Sequence, residues 1–164
     1  MGQSWEQLLE AADQAGIKLE VVQGTPTWEA WPASRHQIAA QRIERSIGPS
    51  EGSEGCGCFY LADDYIRFPD GSLKRPDISV FCQEPPSQDE VLEIVPAAVV
   101  EIVSRGFEKK DLEIGPPFYL SQGVKDVVVV DPYEAKVLHF TTSGVSTFDS
   151  PRKIGLTCGC ELTA

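Results

Sequence analysis

Lys74-Arg75-Pro76-Asp77-Ile78-Ser79-Val80-Phe81 and Ala97-Ala98-Val99-Val100-Glu101-Ile102-Val103-Ser104 are two short apolar runs of strand length, rich in β-branched residues. Each holds one carboxylate where a buried strand tolerates none. Burying a carboxylate costs on the order of several kcal/mol unless a cation, a metal or hydrogen-bond donors compensate, so Asp77 and Glu101 need a partner. Side chains alternate faces along a strand, and two neighbouring strands can therefore present Asp77 and Glu101 to a common point. Oxygen ligands in that arrangement suit Mg²⁺ or Mn²⁺. The same residues admit a structural reading, with Asp77 accepting hydrogen bonds at a Pro-Asp turn and Glu101 paired with Lys74, Arg75 or Arg105.

Before this pair, Ser4 caps a predicted helix whose apolar face is Trp5, Leu8, Leu9 and Ala12, ending at Gly16. Ile17 to Val22 alternates as a strand, Gln23 to Pro26 reads as a turn, and Thr27 to Trp31 returns to close a hairpin. A second helix opens at Pro32-Ala33-Ser34, carries Ile38, Ala39, Ile43 and Ile47 at helical spacing, and stops at Gly48-Pro49. Ser50 to Gly57 reads as a loop, and a strand is predicted within Phe59 to Phe68.

After it, the wholly apolar Glu101 strand has the pattern of a central strand covered on both faces. Phe107 to Gln122 reads as a helical crossover interrupted by Gly115-Pro116-Pro117. Val127 to Val130 is a second buried strand, and Lys136 to Thr141 with Val145 to Phe148 forms an outer hairpin. The order predicts an α/β fold, a mixed sheet flanked by helices, in one domain spanning 1–164.

The chain has 164 residues, 41% apolar and 24% charged, and no apolar run of membrane-spanning length. Its first residues lack the basic and apolar regions of a signal peptide, which predicts a cytoplasmic protein. A net charge of −11 argues against general affinity for nucleic acid. A local site is compatible with it, because Lys74, Arg75, Arg105, Lys109 and Lys110 crowd around the two carboxylate runs. Five cysteines without a signal peptide point away from a disulfide framework. Four of them form two Cys-x-Cys pairs, Cys56-Gly57-Cys58 and Cys158-Gly159-Cys160; these offer four thiolates to zinc or alternate faces on strands, and Cys82 reads as a core thiol.

Several segments together resemble the Uma-type family of putative restriction endonucleases, of the PD-(D/E)XK nuclease superfamily. They are Leu19 to Gly24, His36-Gln37 opening a helix, Arg75 to Val80, Val100 to Ser104, Asp111, Tyr119, and Gly123-Val124 leading to Val130-Asp131-Pro132. The resemblance implies a restriction-endonuclease-like fold and metal-dependent cleavage of DNA phosphodiester bonds. It implies that Asp77, Glu101 and the Ile102 carbonyl hold Mg²⁺, with Glu20 and His36 completing the site; Arg75 and Arg105, from the basic cluster around the two runs, are the expected phosphate contacts. In the superfamily pattern a lysine follows the glutamate by two residues, but Val103 stands there. Family members tend to carry a lysine four residues after the aspartate matching Asp111, and here that position is Gly115. Lys109 and Lys110 are the expected substitutes, since a flexible stem reaches a site from a neighbouring loop.

Three functions follow: a DNA endonuclease, a catalytically impaired member acting as a binding or regulatory module, and a zinc-stabilised interaction protein. The outer hairpin offers an apolar edge to a second copy, and nucleases of this fold often pair to cut two strands, so a homodimer is also an expectation.

Overall fold

A computed structural model describes residues 4–164. Helix α1 (Trp5–Gln14) begins with a capping box in which the Ser4 hydroxyl accepts from the Gln7 N–H and the Gln7 side chain accepts from the Ser4 N–H. It lays Leu9 against Val21 and Leu73. The hairpin β1 (Ile17–Val22) and β2 (Thr25–Ala30) follows, then α2 (Ser34–Glu44), β3 (Gly48–Pro49), β4 (Phe59–Ala62), β5 (Ile66–Arg67), β6 (Leu73–Lys74) and β7 (Ile78–Phe81). Strand β8 (Ala98–Ile102) crosses through a π-helical turn, Lys110–Ile114, and α3 (Gly115–Ser121) to β9 (Asp126–Asp131). Strands β10 (Lys136–Thr141), β11 (Gly144–Asp149), β12 (Lys153–Gly155) and β13 (Cys160–Thr163) complete the chain.

The main sheet has the order β11-β10-β9-β8-β7-β4. Only β8 and β9 run parallel, joined by the helical crossover that such a pair requires. Both strands are buried along their whole length, as their Val-rich sequence requires, and they carry Glu101, Asp126 and Asp131 into that burial. One face packs Ile78, Val80, Val100, Ile102 and Val128 against Ile43 of α2 and Ile154 and Leu162 of the C-terminal strands. The other packs Val99, Val103, Val127 and Val129 against Phe118 and Tyr119 of α3 and against Ile66 and Phe68.

The architecture is a restriction-endonuclease-like mixed α/β fold, with three departures from the element pattern read in the sequence. The run beginning at Lys74 is two strands in two sheets. Leu73 pairs with Val21 in a second sheet of order β2-β1-β6-β5, and the main-sheet strand starts only at Ile78. Pro76 has no N–H to give a ladder, and the Arg75 N–H is taken by the Glu20 carboxylate at 2.8 Å, so the chain leaves one sheet and enters the other here. Phe59 to Phe68 likewise splits into β4 and β5, and the C-terminal strands β12 and β13 join β3 in a third sheet.

The cysteines also differ from expectation. Cys56 is joined to Cys82 and Cys58 to Cys160, and Cys158 is free. Cys82 is therefore no core thiol. The folded chain brings the loop before β4, the end of β7 and the start of β13 together, a juxtaposition that sequence spacing does not encode.

Ile78 is completely buried between the sheet and α2. Ile78→Ala should lower the unfolding free energy by roughly 2–5 kcal/mol. At the exposed Val145, alanine should cost less than about 0.5 kcal/mol, both read by urea titration.

Candidate functional site

Strand β1 turns charge inward. Lys18 and Glu20, two residues apart and so on one face, are both buried. Glu29 of β2 lies directly opposite Lys18 in the hairpin register, and Lys18 Nζ stands 3.4 Å from Glu29 Oε1 and 3.2 Å from Asp77 Oδ1. Strand β6 adds Lys74, whose Nζ is 2.8 Å from Glu20 Oε2. Asp77 follows Pro76 where the chain passes between sheets, and its Oδ2 accepts the Ile102 N–H at 2.7 Å. His36, in the first turn of α2, brings Nε2 to 3.0 Å from the same oxygen.

Ile78 pairs with Val100 across β7 and β8, and carrying that antiparallel register one residue further sets Asp77 opposite Glu101. Glu101 is buried in mid-strand; its Oε1 accepts from the Tyr119 hydroxyl, and its Oε2 has no hydrogen-bond partner. The π-helical turn carries Lys110 to the cluster, with Nζ 3.1 Å from Glu29 Oε1 and 3.6 Å from both Glu20 Oε2 and Asp111 Oδ1. A Cβ at Gly115 would meet the Lys110 carbonyl at 3.2 Å, so the tight turn that seats Lys110 leaves little room for a side chain there. A cleft of about 250 Å³ opens onto this seam, lined in part by Lys18, Glu29, Trp31, His36, Arg75 and Asp77.

Burial opposes ionisation of Asp77, but the Lys18 charge and the hydrogen bond and charge of His36 outweigh it and hold the carboxyl well below the usual carboxylate range. Glu20 behaves alike: burial is overcome by Lys74, Lys110 and Lys18, and its pKa falls to about 2. Glu101 goes the other way. Burial and then the neighbouring Asp77 charge push it up to about 8, so at neutral pH it keeps a proton beside the ionised Asp77. Burial likewise raises Asp111 to about 6. For Lys110, burial disfavours the charge, but Glu20, Glu101 and Glu29 raise its pKa and keep it an ammonium.

Of the residues singled out in the sequence, Asp77, Glu101, Ile102, Glu20, His36 and Lys110 converge here. Lys109 is exposed and makes none of the cluster's ion pairs among the described residues. Arg75 lines the cleft, but its guanidinium is engaged by Asp13 at 2.7 Å and Asp63 at 2.9 Å. Arg105 is exposed at the carboxyl end of β8, its guanidinium 4.9 Å from the Tyr133 ring centroid, with Arg35 5.1 Å from the same centroid. Val103 is buried in the second core. Lys18, Glu29 and the place of Lys74 were not singled out. Their signal was present: Lys18 and Glu20 share one strand face, opposite the apolar face of Ile17, Leu19 and Val21, and Glu29 sits across the turn.

Asp77 and Glu101 meet as hard oxygen donors, and the buried, unpartnered Glu101 Oε2 is a ligand atom without a ligand. The donor set fits a divalent cation of the Mg²⁺ or Mn²⁺ kind.

A central parallel strand pair, helices on both faces and a seam of buried charge define a restriction-endonuclease-like protein. The chain belongs to the Uma2 family of putative restriction endonucleases, whose family model matches residues 5–152. Among solved structures it is similar to a putative nuclease from Anabaena variabilis, with a TM-score of 0.64 and 19% identity over 84% of this chain and 80% of that one. That likeness is one of fold. No curated protein matches the chain. No helix among the described residues is long and apolar enough to cross a membrane.

The Glu101 shift has a consequence for stability. The unfolded chain releases this proton near the ordinary value of 4.5, while the folded chain keeps it to about 8, so the group's contribution to stability falls as pH climbs between those values. In EDTA at pH 8, Glu101→Gln should be more resistant to urea than the wild type by on the order of 1 kcal/mol, the gap closing at pH 5. A destabilised variant at pH 8 would show instead that the fold favours the carboxylate.

Proposed function

We propose that this protein is a metal-dependent endonuclease that hydrolyses phosphodiester bonds of DNA. The observation that supports this best is Glu101: buried in a central strand, set opposite Asp77, raised in pKa and left with an unpartnered oxygen. A structural carboxylate would have both oxygens satisfied. Asp77, Glu101 and the Ile102 carbonyl would hold Mg²⁺ or Mn²⁺. Such an ion, when bound, lowers the pKa of a coordinated water and offsets charge on the phosphate.

The chain's own residues supply the rest. His36 and the Ile102 N–H fix the Asp77 carboxylate in place. Glu20, gripped by Lys74 and the Arg75 N–H, anchors Lys110 in turn, and the Lys110 ammonium faces the cluster from the crossover. Because its pKa is raised, Lys110 is a permanent positive charge that stabilises charge on the scissile phosphate, and it takes no proton. Arg105 and Arg35, stacked on Tyr133, offer phosphate contacts at the carboxyl ends of β8 and β9. Trp31, in the cleft wall, presents an aromatic face for a base. The contacts are local, which suits a chain of net charge −11.

A second reading is a binding or regulatory module that no longer cuts. Lys18 favours it, because its ammonium already engages Asp77 Oδ1, and so does glycine at position 115.

Nicking of supercoiled plasmid separates the two. Cleavage should require Mn²⁺ or Mg²⁺ and stop with EDTA. Asp77→Asn, Glu101→Gln and Lys110→Ala should each reduce it by about 10²-fold or more, and Lys109→Ala should leave it unchanged. No cleavage, with no Mn²⁺ binding by calorimetry, gives the module reading.

A further inference from the structure

We infer that the cysteines form a second metal site, unrelated to the carboxylates: in the reduced chain Cys56, Cys58, Cys158 and Cys160 hold one zinc ion. The Sγ atoms of Cys56, Cys158 and Cys160 lie within 4.8 Å of one another, and those of Cys56 and Cys160 are 3.3 Å apart. A zinc ion with Zn–S bonds of about 2.3 Å spaces its sulfurs about 3.8 Å apart in a tetrahedron, a separation this trio reaches with shifts of less than about an ångström. An iron–sulfur cluster spreads its cysteines more widely. Cys158 has no disulfide partner, yet its sulfur sits in the group.

The fourth ligand is Cys58. It belongs with the other three to the core packed on the α2 face of the main sheet, buried with Cys160 and with Cys56 and Cys158 against it, whereas Cys82 lies outside that core. The chain around the site is built for close approach. A Cβ on Gly57 would fall 2.4 Å from the Phe59 ring, and one on Gly159, whose φ is +96°, would fall 2.1 Å from the Ser53 hydroxyl. Both Cys-Gly-Cys pairs therefore depend on their glycine.

Disulfides and zinc exclude each other, since the same sulfurs serve both. A dithiol reductant gives two electrons and two protons to each disulfide and is itself oxidised to a disulfide. Three of the freed thiols, Cys56, Cys58 and Cys160, join Cys158, which is free throughout, in binding Zn²⁺ with release of four protons, and Cys82 is left as a thiol. The cluster is thus a metal site when reduced and two cross-links when oxidised.

The test uses the full chain on an Asp77→Asn background, so that the carboxylates do not compete. It is reduced with a phosphine, loaded with zinc sulfate or Co²⁺, dialysed and assayed by elemental analysis and absorption. One zinc per reduced chain is expected, with cobalt bands of tetrahedral thiolate coordination, and none in the oxidised chain. Cys158→Ser leaves both disulfides intact and should weaken zinc binding at least tenfold. Cys58→Ser should do the same, and Cys82→Ser should not. A reduced chain without zinc overturns the site, as does wild-type binding by Cys158→Ser shown to be folded by circular dichroism. Loss in Cys82→Ser but not in Cys58→Ser overturns the ligand set.

Discussion

Everything near the cleft depends on burying an ionised Asp77 at the seam of two sheets. Removing a carboxylate from water costs several times what a surface ion pair returns, so the surrounding structure has to supply charge and hydrogen bonds at fixed places. Lys18 comes from β1, His36 from α2 and the Ile102 N–H from β8, three separate elements that converge on this carboxylate. Asp77 therefore joins the small sheet, the main sheet and α2. For Glu101, opposite it, burial and the Asp77 charge outweigh the nearby lysine charges, and it keeps its proton at neutral pH.

The cluster's polarity follows from that imbalance. Lys18, Lys74 and Lys110 face Glu20, Glu29, Asp77, Glu101 and Asp111, and two of the five carboxyls are raised in pKa by burial. A divalent cation is the kind of charge this arrangement lacks. On the proposed function the amines and the cation would draw on the same oxygens, so the lysines that stabilise the fold would also set how readily metal enters.

Breaks in regular structure position these charges. Pro76 ends one ladder and frees Asp77 from the strand pattern; the π-helical turn after β8 swings Lys110 inward, and Gly115 permits that turn. On the proposed function Lys110 stands in for the missing motif lysine by another route. Position 103 is committed to the apolar core and position 115 to a tight backbone approach, while a lysine one turn earlier reaches the carboxylates by its long stem.

Much of the fold was legible in the sequence. The apolar runs announced the buried strands β8 and β9 and the crossover between them, the Ser4 cap and Gly16 bounded α1, and Asp77 and Glu101 stood out because charge in such runs is costly. Helix α2, by contrast, ends at Glu44, and the Gly48-Pro49 pair read as its stop lies in β3. Strands of two or three residues, such as β5, β6 and β12, left too little periodicity to read. The inward face of β1 went unread because its charges look like an ordinary solvent face until another sheet covers them. Sequence by itself determined which residues must be buried and that two carboxylates among them needed partners, since burial and alternation are local properties of the chain. Only the tertiary structure decided that Lys18 and Glu29 are those neighbours, that Lys110 and not Lys109 turns inward, and that five distant cysteines meet, because such contacts depend on how separate strands and loops pack.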